Sequence, residues 1–159
     1  MILSSRQIRP IQLVVFRLDE QRYALPLATV ERIVRAAEVT LLPNAPSIVL
    51  GVIDVEGQVL PVLNIRRRFG LPEREIRPDD YFLIARTVQR LVVLLIDEAQ
   101  GLVERSPTAV TSAAQIVPGV AQFQGVVTLD DGLVLIHDLE QFLDLNEASA
   151  LDQAMEQTE

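Results

Sequence analysis

The chain contains one histidine, His137, and an acid, Asp138, follows it directly. A histidine oriented by a carboxylate is the general base of hydrolytic chemistry, but neighbours on a strand point to opposite faces, and no serine has the setting of an activated nucleophile. With no cysteine in the sequence, thiol nucleophiles, disulfides and thiolate-bound zinc are excluded too. His137 therefore reads as a residue at a strand end or helix start. A hard cation would be sought at the acidic doublets Asp79-Asp80 and Asp130-Asp131. Neither has the alternating acids of a calcium loop, and Asp131-Gly132 is the chemistry of a hairpin turn. The seven glycines are scattered, without the spacing of a phosphate-cradling loop. Catalytic residues, metal ligands and a cofactor site are accordingly not expected.

Arg66-Arg67-Arg68 is the only basic run. Aromatic content is 4% and there is no tryptophan, so stacking of single-stranded nucleic acid has little to work with, and the run reads as a solvated helix face. All fourteen basic residues are arginine. Residues 1–77 hold eleven arginines against eight acids, a net +3; residues 78–159 hold three against fourteen, a net −11. A sequence pI near 4.7 opposes general adhesion to phosphate backbones or anionic lipid and fits electrostatically directed contacts between proteins.

At 159 residues, 49% of them hydrophobic, the chain suits one domain or two small subdomains sharing a core. Its N-terminus lacks an apolar run with a cleavage site, and the longest apolar stretch, Leu91 to Ile96, is far too short to span a bilayer, so a protein without an export signal is expected. Residues 11–18 and 22–27 predict an opening hairpin around Asp19-Glu20-Gln21. Val30 to Val34 is strand or one helical turn. Pro43-Asn44-Ala45-Pro46 breaks the chain, and Ser47 predicts a cap for a short helix over Ile48-Val49-Leu50. Ile65 to Phe69 predicts a short helix stopped by Gly70 and Pro72. Short β-rich segments follow at 81–86, 90–96, 102–105, 123–129 and 133–137, a spacing that argues for barrels or a sandwich. From Asp138 apolar residues recur at helical steps amid seven acids and no base, which predicts a helix ordered to about Asn146 and a solvated, fraying acidic tail over 147–159.

The richest stretch is Gly51-Val-Ile-Asp-Val-Glu-Gly-Gln-Val-Leu-Pro-Val-Leu-Asn-Ile-Arg66, a complete hairpin whose apex, Glu56-Gly57, is charged. It resembles the signature of the CheW-like adaptor domains of bacterial chemosensory arrays, in which a G-V-x-N-x-R-G hairpin is followed by V-x-P-V-x-D-L-R and then F-G. The matching residues are Gly51-Val52, Asp54, Gly57, Pro61-Val62, Ile65-Arg66 and Phe69-Gly70-Leu71. The likeness extends from Phe16 and Tyr23-Ala24-Leu25-Pro26-Leu27, through Leu94-Leu95-Ile96-Asp97, to Leu135-Ile136-His137-Asp138-Leu139. It implies a mainly β fold of two five-stranded, SH3-like β-barrel subdomains with short helices and a C-terminal helix. The expected domain covers 12–146, with subdomain 1 over about 15–66 plus 138–146 and subdomain 2 over about 67–137, after an N-terminal arm over 1–11. No long internal repeat is visible.

The resemblance further implies a non-enzymatic cytoplasmic adaptor, without cofactor, that bridges the tip of a methyl-accepting chemoreceptor and the regulatory domain of a CheA-type histidine kinase. By resemblance, Val30, Gly51, Asp54 and Glu56 contact the receptor and Glu31, Arg32, Ile33 and Leu42 the kinase, with the loop from Ile116 to Phe123 as an alternate contact. An adaptor of a non-flagellar chemosensory system, serving surface motility or second-messenger control, and an oligonucleotide-binding small β-barrel are the rival readings. The family pattern at Val30-Glu31-Arg32-Ile33 reads V-x-E-I, and arginine usually precedes the hairpin glycine; here Arg32 and Glu56 reverse both signs. Two such reversals are natural if the side chains face each other, so an ion pair between Arg32 and Glu56 is expected.

Overall fold

The computed structural model describes residues 9–112 and 123–158. Strands β1 (Ile11–Leu18) and β2 (Gln21–Pro26) form the opening hairpin, and a 3-10 turn at Leu27–Thr29 carries the chain into β3 (Val30–Arg35). Strands β4 (Val49–Val55) and β5 (Gln58–Leu63) form the central hairpin, followed by helix α1 (Ile65–Phe69). Next come β6 (Tyr81–Arg86), β7 (Leu91–Ile96), β8 (Glu98–Arg105), β9 (Val110–Ser112), β10 (Phe123–Leu129) and β11 (Gly132–His137). Helix α2 (Leu145–Thr158) closes the described chain. No helix follows Ser47: the Val49 N–H donates to Pro46 O at 2.9 Å, making a turn that leads directly into β4.

The strands form two sheets, one in the order β8-β1-β2-β11-β10-β9 and one in the order β3-β6-β7-β5-β4. Continuous apolar runs arise because most central strands are covered on both faces. On β1, Leu13 and Val15 enter a core with Ala24, Val127, Val134 and Ile136, while Val14, Phe16 and Leu18 enter a second core. On β7, Val93 and Leu95 join Leu60, Val62, Phe82 and Ile84, and Val92, Leu94 and Ile96 join that same second core. Each sheet thus has a core of its own, and the residues of intervening parity build a third core shared between them.

The two sheets repeat one another. In each, a long hairpin (β4–β5 or β10–β11) uses its second strand to pair in parallel with the last strand of an antiparallel trio, β7 of β3-β6-β7 or β2 of β8-β1-β2. Each hairpin is bulged just before a glycine, Gly51 or Gly125. A Cβ on Gly51 would lie 2.3 Å from Thr40 O and 2.6 Å from Val39 Cγ1; on Gly125 it would lie 2.6 Å from Thr111 O and 2.8 Å from Val110 Cγ1. The registers align Gly51-Val52 with Gly125-Val126, and Leu63 with His137. So few shared residues are too sparse to stand out in sequence, which is why the repeat is structural. Gly51→Ala is expected to lower stability by about 1–3 kcal/mol, because its clash is with backbone. Gly57→Ala meets no atom within 4 Å and carries only the strain of its φ of 86°, so it should move the urea midpoint less.

Two expectations about the layout of the chain also need correction. The sheets divide the chain as 11–26 with 98–137, and as 30–96, not at a boundary near residue 66. The opening hairpin belongs with the late strands because β2 pairs with β11, a long-range contact that local patterning does not encode. The acidic C-terminus is not a fraying tail: α2 runs to Thr158, with Leu151, Ala154 and Met155 at 1–4% exposure in the shared core. Its acids are answered by cations from elsewhere in the fold, Arg68 on Glu147 and Arg90 on Asp152, each at 2.5 Å.

Candidate interaction surfaces

The apex of the β4–β5 hairpin is built by backbone requirements. Glu56 (φ 54°) and Gly57 (φ 86°) occupy the two central positions of a tight turn, and the Asp54 carboxylate accepts the Gly57 N–H at 2.8 Å. Asp54 thereby shapes the turn, while Glu56 projects into solvent with its side chain 80% exposed. Beside it runs β3, paired on one side with β6. A bulge between Val30 and Arg32 leaves Glu31 unpaired, so two consecutive residues, Glu31 and Arg32, are both exposed where regular alternation would turn one inward.

Arg32 Nη2 lies 3.1 Å from Glu56 Oε1, and Arg86 Nη2 lies 3.3 Å from Glu31 Oε1. These four charges of alternating sign form a ledge across β3, β6 and the hairpin apex. Exposed pairs of this kind contribute only about 0.2–1 kcal/mol each, so they matter little to stability. The other candidates sit differently. Val30 and Ile33 are half-buried against the shared core. Leu42 is 3% exposed within that core, so it is no surface contact; its neighbour Leu41, 78% exposed, is the apolar side chain that emerges there. Gly51 is buried under the segment carrying Thr40, and an effect of its substitution on binding would pass through the hairpin's shape. Of the alternate contact loop only Phe123 lies among the described residues.

The arginine run is not a solvated face. Asn64 caps α1, its side chain accepting the Arg67 N–H at 3.1 Å, and Gly70 ends the helix at φ 74°. That short, fixed helix turns Arg66 inward to 6% exposure. Its guanidinium grips Asp19 in bidentate fashion at 2.9 and 3.0 Å, donates to Pro72 O at 2.9 Å, and reaches Asp97 Oδ1 at 2.8 Å. Arg74 joins the same Asp97 oxygen at 2.8 Å and grips Asp80 through two further bonds of 2.8 Å. The other Asp97 oxygen accepts the Asp19 N–H at 2.8 Å.

This chain of three acids and two arginines ties the β1–β2 turn of one sheet to α1, the connection after it and the end of β7 in the other. The hydrogen bond from Arg66 is the main cause that holds the Asp19 carboxyl below its ordinary range. At Asp80 burial pushes the carboxyl up, but hydrogen bonds from Arg74 and the Arg77 N–H outweigh it and leave the value lowered. Sequence reading missed the network because its members are 47 and 31 positions apart for the two Arg66 partners. The arginine in Ile65-Arg66 and the aspartate closing Leu94-Leu95-Ile96-Asp97 were already part of the recognised pattern, and they are the signal that could have found it.

His137 is fully buried. Phe69 and Phe142 meet its ring edge-on at centroid distances of 5.0 and 5.7 Å, and Phe123 lies at 6.2 Å. Neither ring nitrogen has a hydrogen-bond partner among the described residues, and burial pushes its pKa down to about 3. An imidazole in this setting is a neutral packing residue, not a base paired with Asp138. Among the described residues no group of His, Asp or Glu is placed to hold a metal ion, and no helix is long and apolar enough to cross a membrane.

Residues 12–147 match the CheW-like domain family. The chain is 27% identical to the chemotaxis protein CheW of Treponema pallidum, over 88% of this chain and 86% of that one. It is 31% identical to the protein FrzA of Myxococcus xanthus, over 76% and 81%. The crystal structure of the scaffolding protein TtCheW from Thermoanaerobacter tengcongensis superposes with a TM-score of 0.79 at 24% identity, covering 87% of this chain and 96% of that one.

Proposed function

The chain belongs to the CheW-like family, and from that premise we propose that it is a non-enzymatic cytoplasmic adaptor joining chemoreceptor tips to the regulatory domain of a CheA-type histidine kinase. Its work is geometric: one rigid body, locked by a shared core and the Arg66 network, offers separate faces to different proteins. The observation that carries the reading is the charged ledge, where Glu31, Arg32 and Glu56 stand exposed on fixed backbone at an edge strand and a hairpin apex. Val30 and Ile33 supply half-buried apolar surface beside those charges. The receptor side of the ledge is formed by Val30 and Glu56, with Asp54 and Gly51 setting the hairpin's shape. The kinase side is formed by Glu31, Arg32 and Ile33, with Leu42 supporting the segment that presents Leu41.

Charges at an interface rim act on partner choice through both attraction and repulsion. The reversed signs at Arg32 and Glu56 therefore select a partner whose facing charges are reversed in turn. Binding of the purified chain to its kinase regulatory domain and to a receptor-tip peptide tests this directly. Glu56→Arg, which leaves two cations together, is expected to weaken one of these interactions about tenfold. Adding Arg32→Glu, which rebuilds the pair with the opposite polarity, should not recover that loss, while stability changes by less than about 1 kcal/mol throughout. Affinities for both partners unmoved by Glu56→Arg would remove the ledge from the binding surface.

A further inference from the structure

A recess of about 210 Å³ opens between the β6–β7 turn and the start of α2, lined by none of the four ledge charges. Leu63, Val92, Leu139, Phe142 and Leu151 line it, and all five belong to the shared core. At its mouth stand Val88 and Leu145, 88% and 89% exposed, the two most exposed large apolar side chains among the described residues. A single exposed aliphatic group is ordinary, but two flanking one opening onto the core extend a continuous apolar surface.

Both stand on fixed backbone. The Val88 N–H donates to the Glu140 carboxylate at 2.9 Å, and the Thr87 hydroxyl closes the turn by donating to Arg90 O at 2.9 Å. Leu145 follows Asp144, whose carboxylate accepts the Glu147 N–H at 2.7 Å while the Glu147 side chain accepts the Asp144 N–H at 3.0 Å, a reciprocal cap that sets the helix start. The rim is acidic. Glu140 and Asp144 are exposed, no lysine or arginine occurs from residue 138 to 159, and the one lining arginine, Arg90, is turned onto Asp152. A negative field around an apolar opening favours a cationic, amphipathic occupant.

We infer that this recess docks an amphipathic helical segment of a partner protein, which places one large apolar side chain between Val88 and Leu145 and lysine or arginine against Glu140 and Asp144. The inference is independent of the ledge and its partners. It is tested by NMR on the full chain with two synthetic peptides of about 18 residues, long enough to hold helix. One carries leucines on one helical face and lysines on the other; in its counterpart glutamates replace the lysines. The lysine peptide is expected to shift the Val88, Leu145 and Ala148 amides in a saturable titration. Val88→Ser with Leu145→Ser should weaken it about tenfold, as loss of a buried aliphatic contact does, with circular dichroism unchanged because both positions are exposed. The glutamate peptide should bind more weakly than the lysine peptide. Shifts spread over the acidic surface that survive the double substitution would overturn the inference, as would preference for the glutamate peptide or the lack of a saturable response. Shifts at Val88 and Leu145 on concentrating the chain alone would also overturn it, by assigning the recess to a second copy.

Discussion

Arg66→Met is expected to destabilise the chain by about 3–5 kcal/mol, the loss typical of breaking a buried ion pair from one side. The arginine is 6% exposed and joins the carboxylate of the β1–β2 turn to the one that follows β7, so its removal leaves Asp97 with Arg74 and a longer, 3.5 Å contact to Arg17, and leaves Asp19 without its bidentate partner. The positional effect exceeds the charge effect. Arg66→Lys keeps the charge, but a single ammonium has no planar fork with which to hold both oxygens of Asp19 and one of Asp97 at once, and it should lose a substantial part of the same energy. Urea unfolding at neutral pH measures both variants. A shift below about 1 kcal/mol for Arg66→Met would show that the network is not what locks the sheets together. The carboxylates add a dependence on pH. Asp19 and Asp80 have lowered folded values, so the stability they contribute is present above their unfolded value near 3.8 and is lost as pH falls through the lower, folded values. Asp19 is partly solvated, its side chain 41% exposed, so Asp80 carries more of that acid dependence.

The second large effect lies in a different pH window. His137 has its pKa depressed from 6.5 to about 3 by burial, so the unfolded chain binds a proton that the folded chain refuses. Stability should therefore fall as pH drops below 6.5, by about 2 kcal/mol at pH 5 and by roughly 4–5 kcal/mol once pH reaches 3. This loss precedes that of the carboxylates. His137→Leu is expected to flatten the profile between those pH values and, by removing two unpartnered ring nitrogens, to add about 1–3 kcal/mol near neutrality. Leucine is the natural choice because Leu63 occupies the corresponding place in the other sheet. The imidazole resonances give an independent check: they should not titrate in the folded chain at pH 5, and a native midpoint near 6.5 would refute the assignment.

These two residues also show how far sequence carries. Arg66 belongs to the motif that identifies the family, yet its neighbours Arg67 and Arg68 made it look like part of a solvated run. Arg67 reaches Glu73 and Arg68 reaches Glu147 on partly exposed surface, while Arg66, one position earlier on a five-residue helix, points into the joint between sheets. Helical phase separates these fates, and phase is set by the Asn64 cap and the strand that feeds it. His137 was legible as a residue without catalytic partners, but not as the centre of an aromatic cluster drawn from α1, β10 and the turn before α2.

Local chemistry was sufficient for several features because it acts over a few residues: the short strands, the Glu56-Gly57 turn, and the stop of α1 at Gly70. The facing of Arg32 and Glu56 was also readable, since paired sign reversals are simplest when two side chains meet. Contacts distant in sequence were decided only by folding. Among them are the pairing of β2 with β11, the burial of Leu42 while Leu41 stays outside, the acceptance of an acidic α2 by Arg68 and Arg90, and the convergence of Asp19, Asp80 and Asp97 on two arginines. The reason is physical. Turn, cap and alternation energies depend on neighbours in the chain, whereas desolvation and ion pairing depend on which surfaces meet, and that is settled when two sheets close over their shared core.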